Sequence, residues 1–141
     1  MSPFEVLTTI RAAIGSGAWL APRLTARLFG ISADANPQLP YVTRLFAIRD
    51  LALAAGLQSS DGDARRLWVQ IGIACDAADA AAGLLAGRRG ELSTLSTVLV
   101  TATALTGVAL GTAILRDADA DAEGDAGDTA DGRDTAAGTP S

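Results

Sequence analysis

Histidine and lysine are absent from the 141-residue sequence, and cysteine occurs once, at Cys75. Without histidine the chain lacks the commonest metal ligand and the usual general base at neutral pH. A single cysteine excludes an internal disulfide and a cysteine-cluster metal site. The few aromatic residues give little support to nucleic-acid binding by base stacking. We therefore predict no metal, no cofactor and no nucleic-acid partner.

Motifs for catalysis and export are missing as well. The sequence has no Ser-His-Asp set and no phosphate-binding glycine loop, since the run Gly15-Ser16-Gly17 is too short for one. The N-terminus lacks a positively charged region, and the first apolar stretch ends at Pro22 without an Ala-x-Ala cleavage site. We expect a protein that is not an enzyme and that retains its apolar segments.

Charge is distributed unevenly along the chain. Residues 1–116 carry ten arginines and eight acidic residues, whereas residues 117–141 carry one arginine and eight acidic residues. The second segment has almost no large apolar side chain and cannot offset the entropy of ordering, which predicts a disordered acidic tail. Its Asp-x-Asp-x-Asp run from Asp117 begins like a calcium loop, but it lacks the turn glycine and the final glutamate.

Four apolar segments precede the tail. Segment 92–115 is uncharged and would extend about 36 Å as a helix, enough to cross the roughly 30 Å hydrocarbon core of a bilayer. Segment 67–87 lies between two arginine pairs, as is typical of membrane–water boundaries, while segments 5–21 and 41–57 are apolar but contain charges. Short connections favour antiparallel neighbours. We predict an all-α, up-down-up-down four-helix transmembrane bundle over residues 1–116, with one or two amphipathic turns after the first helix.

Small residues recur four apart on the last two segments. They are Gly83 and Gly87, followed by Thr103, Gly107 and Gly111. Such stripes let helix backbones approach closely in lipid. One interpretation is a dimerisation face between two chains. The interpretation that we favour is packing between the third and fourth helices of one chain.

Charged residues lie inside the three less apolar segments, namely Arg11, Arg44, Arg49, Asp50, Asp76 and Asp79. A central arginine or aspartate costs roughly 2.5–3.5 kcal/mol on insertion scales. Arg44 lies nearer a helix end, and the other five, if unpaired, would cost on the order of 12–18 kcal/mol. Pairing removes this cost. We predict that Arg11 and Arg49 pair with the three aspartates, and that Arg44 balances the third acid if it reaches. This cluster is interpreted as a structural ion-pair network; the alternatives are a proton or ion relay and a charged-ligand site.

Several of these residues form motifs. The run Arg44-Leu-Phe-Ala-Ile-Arg49-Asp50, followed by Trp68 and by Asp76-Ala-Ala-Asp79, resembles an uncharacterised family of small multi-pass membrane proteins from actinobacteria. That family typically shows Gly-x₆-Pro-Arg at the end of the first helix, as found here from Gly15 to Arg23. It also shows Arg-x-x-Gly-x-Arg-Asp, where this chain has Ala47 in place of the glycine. The resemblance implies four membrane helices and no particular activity.

Two functions are consistent with these features. The first is a non-enzymatic accessory or structural component of the cell envelope. The second is a small transporter or proton-linked carrier that uses the charge cluster. Rich alanine, glycine and arginine usage suggests a bacterial chain, so we expect the bacterial plasma membrane, with the lipid bilayer and either a second copy or another membrane protein as partners. Arginine placement in the connections favours both termini outside.

Overall fold

The computed structural model describes residues 1–32, 34 and 36–134, and these residues form helices and connections without a strand. The helices are α1 (Pro3–Leu20), α2 (Pro22–Leu28), α3 (Leu39–Ser59), α4 (Gly62–Arg88) and α5 (Thr94–Asp134). The all-α prediction is confirmed. The four long helices contain the four apolar segments, and α2 lies where the sequence predicted one or two amphipathic turns.

Local sequence explains where the helices begin and end. Ser2 and Glu5 form a capping box at α1, in which the Ser2 hydroxyl accepts from the Glu5 N–H at 3.2 Å and the Glu5 carboxylate accepts from the Ser2 N–H at 2.8 Å. Prolines occupy the first turn of α1, α2 and α3, where a missing N–H costs nothing. Gly30 and Gly90 follow α2 and α4 with φ of 73° and 72°, which allows a left-handed end to each helix.

The long helices alternate in direction. Arg44, near the start of α3, contacts the carbonyl of Trp19 at the end of α1, so these two helices are antiparallel. Thr97, near the start of α5, lies against Gly87 at the end of α4. The most extensive contacts join α1 to α3 and α4 to α5, and smaller ones join α1 to α5 and α3 to α4. The apolar core near one end contains Leu7, Leu57 and Val69.

The short helix α2 is tied to the start of α5. The hydroxyl of Ser96 donates to the carbonyl of Gly30 at 3.1 Å, and Ser96 is almost fully buried. This bond joins the connection between α1 and α3 to α5, which also packs against α1. It positions α2 across the end at which α1 stops and α3 begins.

Two helices are long and apolar enough to cross a membrane, judged by length and composition. They are α4 and the Thr94–Glu123 part of α5. Helices α1 and α3 do not meet the same test, because Arg11 and Glu5 in α1 and the three charged residues of α3 lower their hydropathy. The structure therefore supports two candidate spans on hydropathy, where the sequence predicted four.

The last helix extends further than predicted. It does not stop near Leu115 but continues to Asp134, so residues 117–134 are helical where the sequence predicted disorder; residues 135–141 lie outside the described residues. An apolar helix has already overcome the cost of nucleation, and the alanines that follow Arg116 are strong helix formers. Arg66 of α4 also donates to Asp119 at 2.6 Å.

Candidate functional site

The central charges of three helices meet in one network. Asp76 and Asp79 are three residues apart on α4 and therefore share a helix face. Arg49 and Asp50 are neighbours on α3, so their side chains leave the helix about 100° apart. Arg49 consequently reaches Asp79 of α4, while Asp50 turns toward Arg11 of α1.

Two doubly bonded pairs form the ends of the network. Arg11 Nη2 donates to Asp76 Oδ2 at 2.5 Å, and Arg11 Nη1 lies 3.4 Å from Asp76 Oδ1. Arg49 Nη1 and Nη2 donate to the two oxygens of Asp79 at 2.9 and 2.6 Å. The Arg49 guanidinium also lies over the Phe46 ring, 5.0 Å from its centroid. Bidentate geometry of this kind fixes the helices relative to one another.

Asp50 links the two pairs but is held more weakly than the other aspartates. Its Oδ1 atom lies 3.5 Å from Arg11 Nη1 and 3.4 Å from Arg49 Nη2. Both distances are longer than those of a strong charged hydrogen bond. Three carboxylates and two guanidinium groups leave one negative charge in excess, and the bonding pattern assigns this excess to Asp50.

The network does not satisfy all of its own donors. The Nε atoms of Arg11 and Arg49 are buried and have no hydrogen-bond acceptor among the described residues. An acceptor beside either atom would add a charge-assisted hydrogen bond to the network.

Glycines make room for the network. A Cβ atom at Gly107 of α5 would overlap the carboxylate of Asp76, and one at Gly72 of α4 would lie 3.0 Å from Arg11 Nη2. Gly107 was predicted as a packing residue, and its partner proves to be a charged side chain. The role of Gly72 was not predicted, because nothing in the sequence distinguishes it from the other glycines of α4.

Arg44 does not join the network, and its inclusion in the predicted cluster is wrong. Its side chain is exposed and its Nε donates to the carbonyl of Trp19 at 3.3 Å. Residue 44 lies one and a half helical turns from Arg49 and points in another direction, so it cannot reach the third aspartate. The five remaining charged residues are brought together as predicted.

The glycines of both small-residue stripes lie in the interface between α4 and α5 of one chain, but each stripe faces other residues of the partner helix. A Cβ at Gly83 would lie 2.9 Å from Thr101 Oγ1, and one at Gly111 would lie 2.7 Å from Ile73 Cγ1. Gly87 likewise faces Thr97. The predicted role of Thr103 is wrong, because this residue is exposed and its hydroxyl donates to Leu99 of its own helix at 2.9 Å. Residue 103 lies about 200° around the helix from Thr101, which occupies the interface instead.

A cavity of about 610 Å³ lies beside the network, and all five helices contribute to its wall. The five charged residues form one part of that wall. Most of the remainder is apolar and includes Ile14, Phe29, Val42 and Leu110. The volume falls within the range of small-molecule sites, and a few polar groups on a largely apolar wall are typical of them. Within the described ranges, no three metal-ligating side chains are placed to hold an ion.

Comparison of the chain with protein-family models, with curated proteins and with solved structures finds no match in any of the three. The resemblance to an actinobacterial membrane family therefore rests on sequence motifs alone. Of these motifs, Arg49-Asp50 and Asp76-x-x-Asp79 supply four of the five charged residues of the network.

Proposed function

We propose that this chain is a small integral membrane protein of the bacterial plasma membrane, in which all four long helices cross the bilayer as an up-down-up-down bundle. We further propose that it is an accessory or structural component without catalytic activity, held together by the Arg–Asp network. The observation that carries this proposal is the combination of enclosed charged side chains with large apolar side chains on the surface. Arg11 and Asp76 are 4% and 6% exposed, while Leu95 and Leu105 are 63% and 52% exposed.

The outer surface of α3 supports its assignment as a span in spite of its charges. Leu45 and Ile48 are exposed large apolar residues that do not line the cavity, and Val42 and Phe46, which do line it, are also exposed. Exposed apolar surface on this scale is unfavourable in water and favourable in lipid. The charges of α3 that would oppose insertion, Arg49 and Asp50, are paired with Asp79 of α4 and Arg11 of α1.

The depths of the charges also agree. Arg11 is the ninth of 18 residues in α1, Asp50 the twelfth of 21 in α3 and Asp76 the fifteenth of 27 in α4. At 1.5 Å per residue α1 and α3 are about 27 and 32 Å long, close to the hydrocarbon thickness of a bilayer. Each charge then lies near the membrane centre, where only pairing makes it tolerable.

Cysteine labelling tests the number of spans. In a Cys75→Ala background, Gln38→Cys and Ser60→Cys place one thiol at each end of α3. If α3 crosses the bilayer, a membrane-impermeant maleimide added to right-side-out vesicles labels only one of the two; Ser60 is the expected one, because arginine placement favours outside termini. Labelling of both, or of neither, before lysis contradicts the four-span proposal and leaves at most α4 and α5 as spans.

A second candidate function is a small transporter or proton-linked carrier. The specific observation that favours it is the cavity wall formed by the five charged residues. Native mass spectrometry of the solubilised protein separates the two proposals. A different membrane protein bound in fixed ratio supports the accessory role, whereas a homo-oligomer that moves protons in liposomes, and stops when Asp76→Asn is introduced, supports the carrier.

A further inference from the structure

We propose that the cavity binds a lipophilic monovalent cation, an apolar molecule with one amine or quaternary ammonium group, and that Asp50 is its counter-ion. This inference rests on the proposed membrane function. It concerns the second candidate function, the carrier, and names the chemical class of ligand that the carrier would bind. The argument has three parts: the sign of the unbalanced charge, its position, and the shape and chemistry of the space beside it.

The sign of the unbalanced charge is negative. Each arginine already has a carboxylate of its own, Asp76 for Arg11 and Asp79 for Arg49. An anionic ligand would have to displace one of these short contacts and would add to the excess negative charge. A cation instead completes the balance of the network. In a low-dielectric environment an uncompensated charge is strongly destabilising, so the excess carboxylate needs either a cation or a proton.

The position of Asp50 suits a ligand-binding group. It lies between the two arginines and on the cavity wall, and its side chain is 16% exposed, so it is neither sealed in the core nor open on the surface. Only Oδ1 makes contacts with the arginines. Asp76, by contrast, uses both oxygens on Arg11 and is close-packed against Gly107.

The cavity has room for the apolar part of a ligand beside the Asp50 carboxylate. A proton alone needs no space, whereas a cavity of about 610 Å³ with mainly apolar walls fits an apolar molecule. Arg49 and Asp79 are partly exposed where α3 meets α4, and the α3–α4 interface is the smallest among the long helices. This side faces lipid in the proposed bundle, which is where a lipophilic cation would be concentrated.

Protons should compete with the cation for Asp50. The ionisable groups that face Asp50 are Arg11 from α1, Arg49 from its own helix, and Asp76 and Asp79 from α4. Among the described side chains, α5 contributes Gly107 to this region and no titratable group, and the arginines of α2 are exposed. Because these groups together leave one negative charge in excess, a proton and the cation would compensate the same charge and therefore compete for it.

The test uses two ions of equal shape and opposite charge. Tetraphenylphosphonium and tetraphenylborate are titrated separately into the purified full chain in nanodiscs by isothermal calorimetry. We expect tetraphenylphosphonium to bind once per chain, more weakly as the pH falls, and tetraphenylborate not to compete with it. Asp50→Asn should weaken tetraphenylphosphonium binding by about 30-fold or more. The control Asp61→Asn, at an exposed acid in the α3–α4 connection, should leave it unchanged.

Equal binding of the two ions would overturn the proposal, because the cavity would then select for apolar character alone. Absence of tetraphenylphosphonium binding to the folded wild-type chain would overturn it as well. Should Asp50→Asn fail to fold, the comparison of the two ions and the pH dependence of the wild type still decide the matter. Failure of the labelling experiment on α3 would instead remove the membrane proposal, so the two failures are distinguishable.

Discussion

Arg11 is a charged residue whose side chain is almost completely enclosed, and its environment shows how a single position can determine helix packing. Its guanidinium bonds Asp76 of α4 and approaches Asp50 of α3, so one side chain on α1 contacts two other helices. It also lies against Gly72, where no side chain occupies the space that the guanidinium needs. Removal of either partner leaves a buried charge without compensation, which is far more costly than removal of both.

Asp76→Asn should therefore destabilise the protein by about 3–5 kcal/mol, because the Arg11 charge stays buried and loses its main partner. Unfolding in mixed micelles, followed by circular dichroism, measures the effect. The double variant Arg11→Met with Asp76→Leu should recover most of the loss, since no buried charge is then left unpaired at that end of the network. A stability unchanged by Asp76→Asn would show that the network has no structural role.

Gly107→Ala tests the space reserved for the Asp76 carboxylate. The added methyl group would overlap that carboxylate and force α5 away from α4, which should cost about 1–3 kcal/mol, as overpacking of a tight interface generally does. Gly17→Ala is the matched control, because its Cβ would meet only Thr25 Oγ1 at an ordinary 3.7 Å, and alanine is the better helix former. The two variants should differ in thermal melting temperature, with Gly107→Ala lower than wild type and Gly17→Ala equal or higher.

At the scale of the helices, hydrophobic periodicity and charge placement identify the long elements. The four apolar segments all proved helical, with boundaries a few residues from those predicted except at the end of α5. Five of the six predicted cluster residues meet, because the cost of burying charge in an apolar segment leaves pairing as the main solution. The sequence alone could not show that Arg44 lies outside the charge network or that Thr103 lies outside the α4–α5 interface. Both facts depend on the rotation of each helix about its own axis. That rotation is set by contacts among helices and is not encoded in spacing alone.

The extension of α5 beyond Leu115 was missed for a different reason. A segment of alanine, aspartate and glycine has no apolar face to pack, so its composition indicates disorder. Composition ignores that the segment continues a helix already formed. Asp119 of α5 then pairs with Arg66 of the neighbouring helix α4. The two residues are far apart in the sequence, so no local pattern predicts this contact.

Amide hydrogen exchange should reveal a boundary within α5. Residues 94–115 pack against α4 and α1, while residues 117–123 are exposed. Exchange should be slow in the first part and faster by orders of magnitude after about residue 119, because helix that lacks tertiary packing opens locally. Deletion of residues 117–141 should leave the melting temperature of the remainder unchanged. Uniform protection to Asp134 would indicate a partner for the extension that the isolated chain does not supply.

At the scale of the whole molecule, the chain encloses two charged side chains together with a small apolar core and exposes many large apolar side chains. Large apolar side chains are exposed on all five helices, whereas the most enclosed charges, Arg11 and Asp76, lie at its centre. Two of the four long helices, α4 and α5, have the hydropathy of independent spans. The other two, α1 and α3, carry charges that pair with each other and with the aspartates of α4. In the proposed bundle, α1 and α3 insert only because their charges are shared with α4, so assembly and insertion depend on each other.

The matched depth of the charges has an electrical consequence. A unit charge that crosses a whole bilayer changes in energy by about 2.3 kcal/mol for each 100 mV of membrane potential. In the proposed bundle Asp50 lies close to the midplane, so a proton or cation that reaches it from either aqueous phase crosses about half of that voltage, or about 1.1 kcal/mol per 100 mV. Occupancy of the cavity would then depend on the membrane potential, and a cation would bind Asp50 to a different extent from each side of the bilayer.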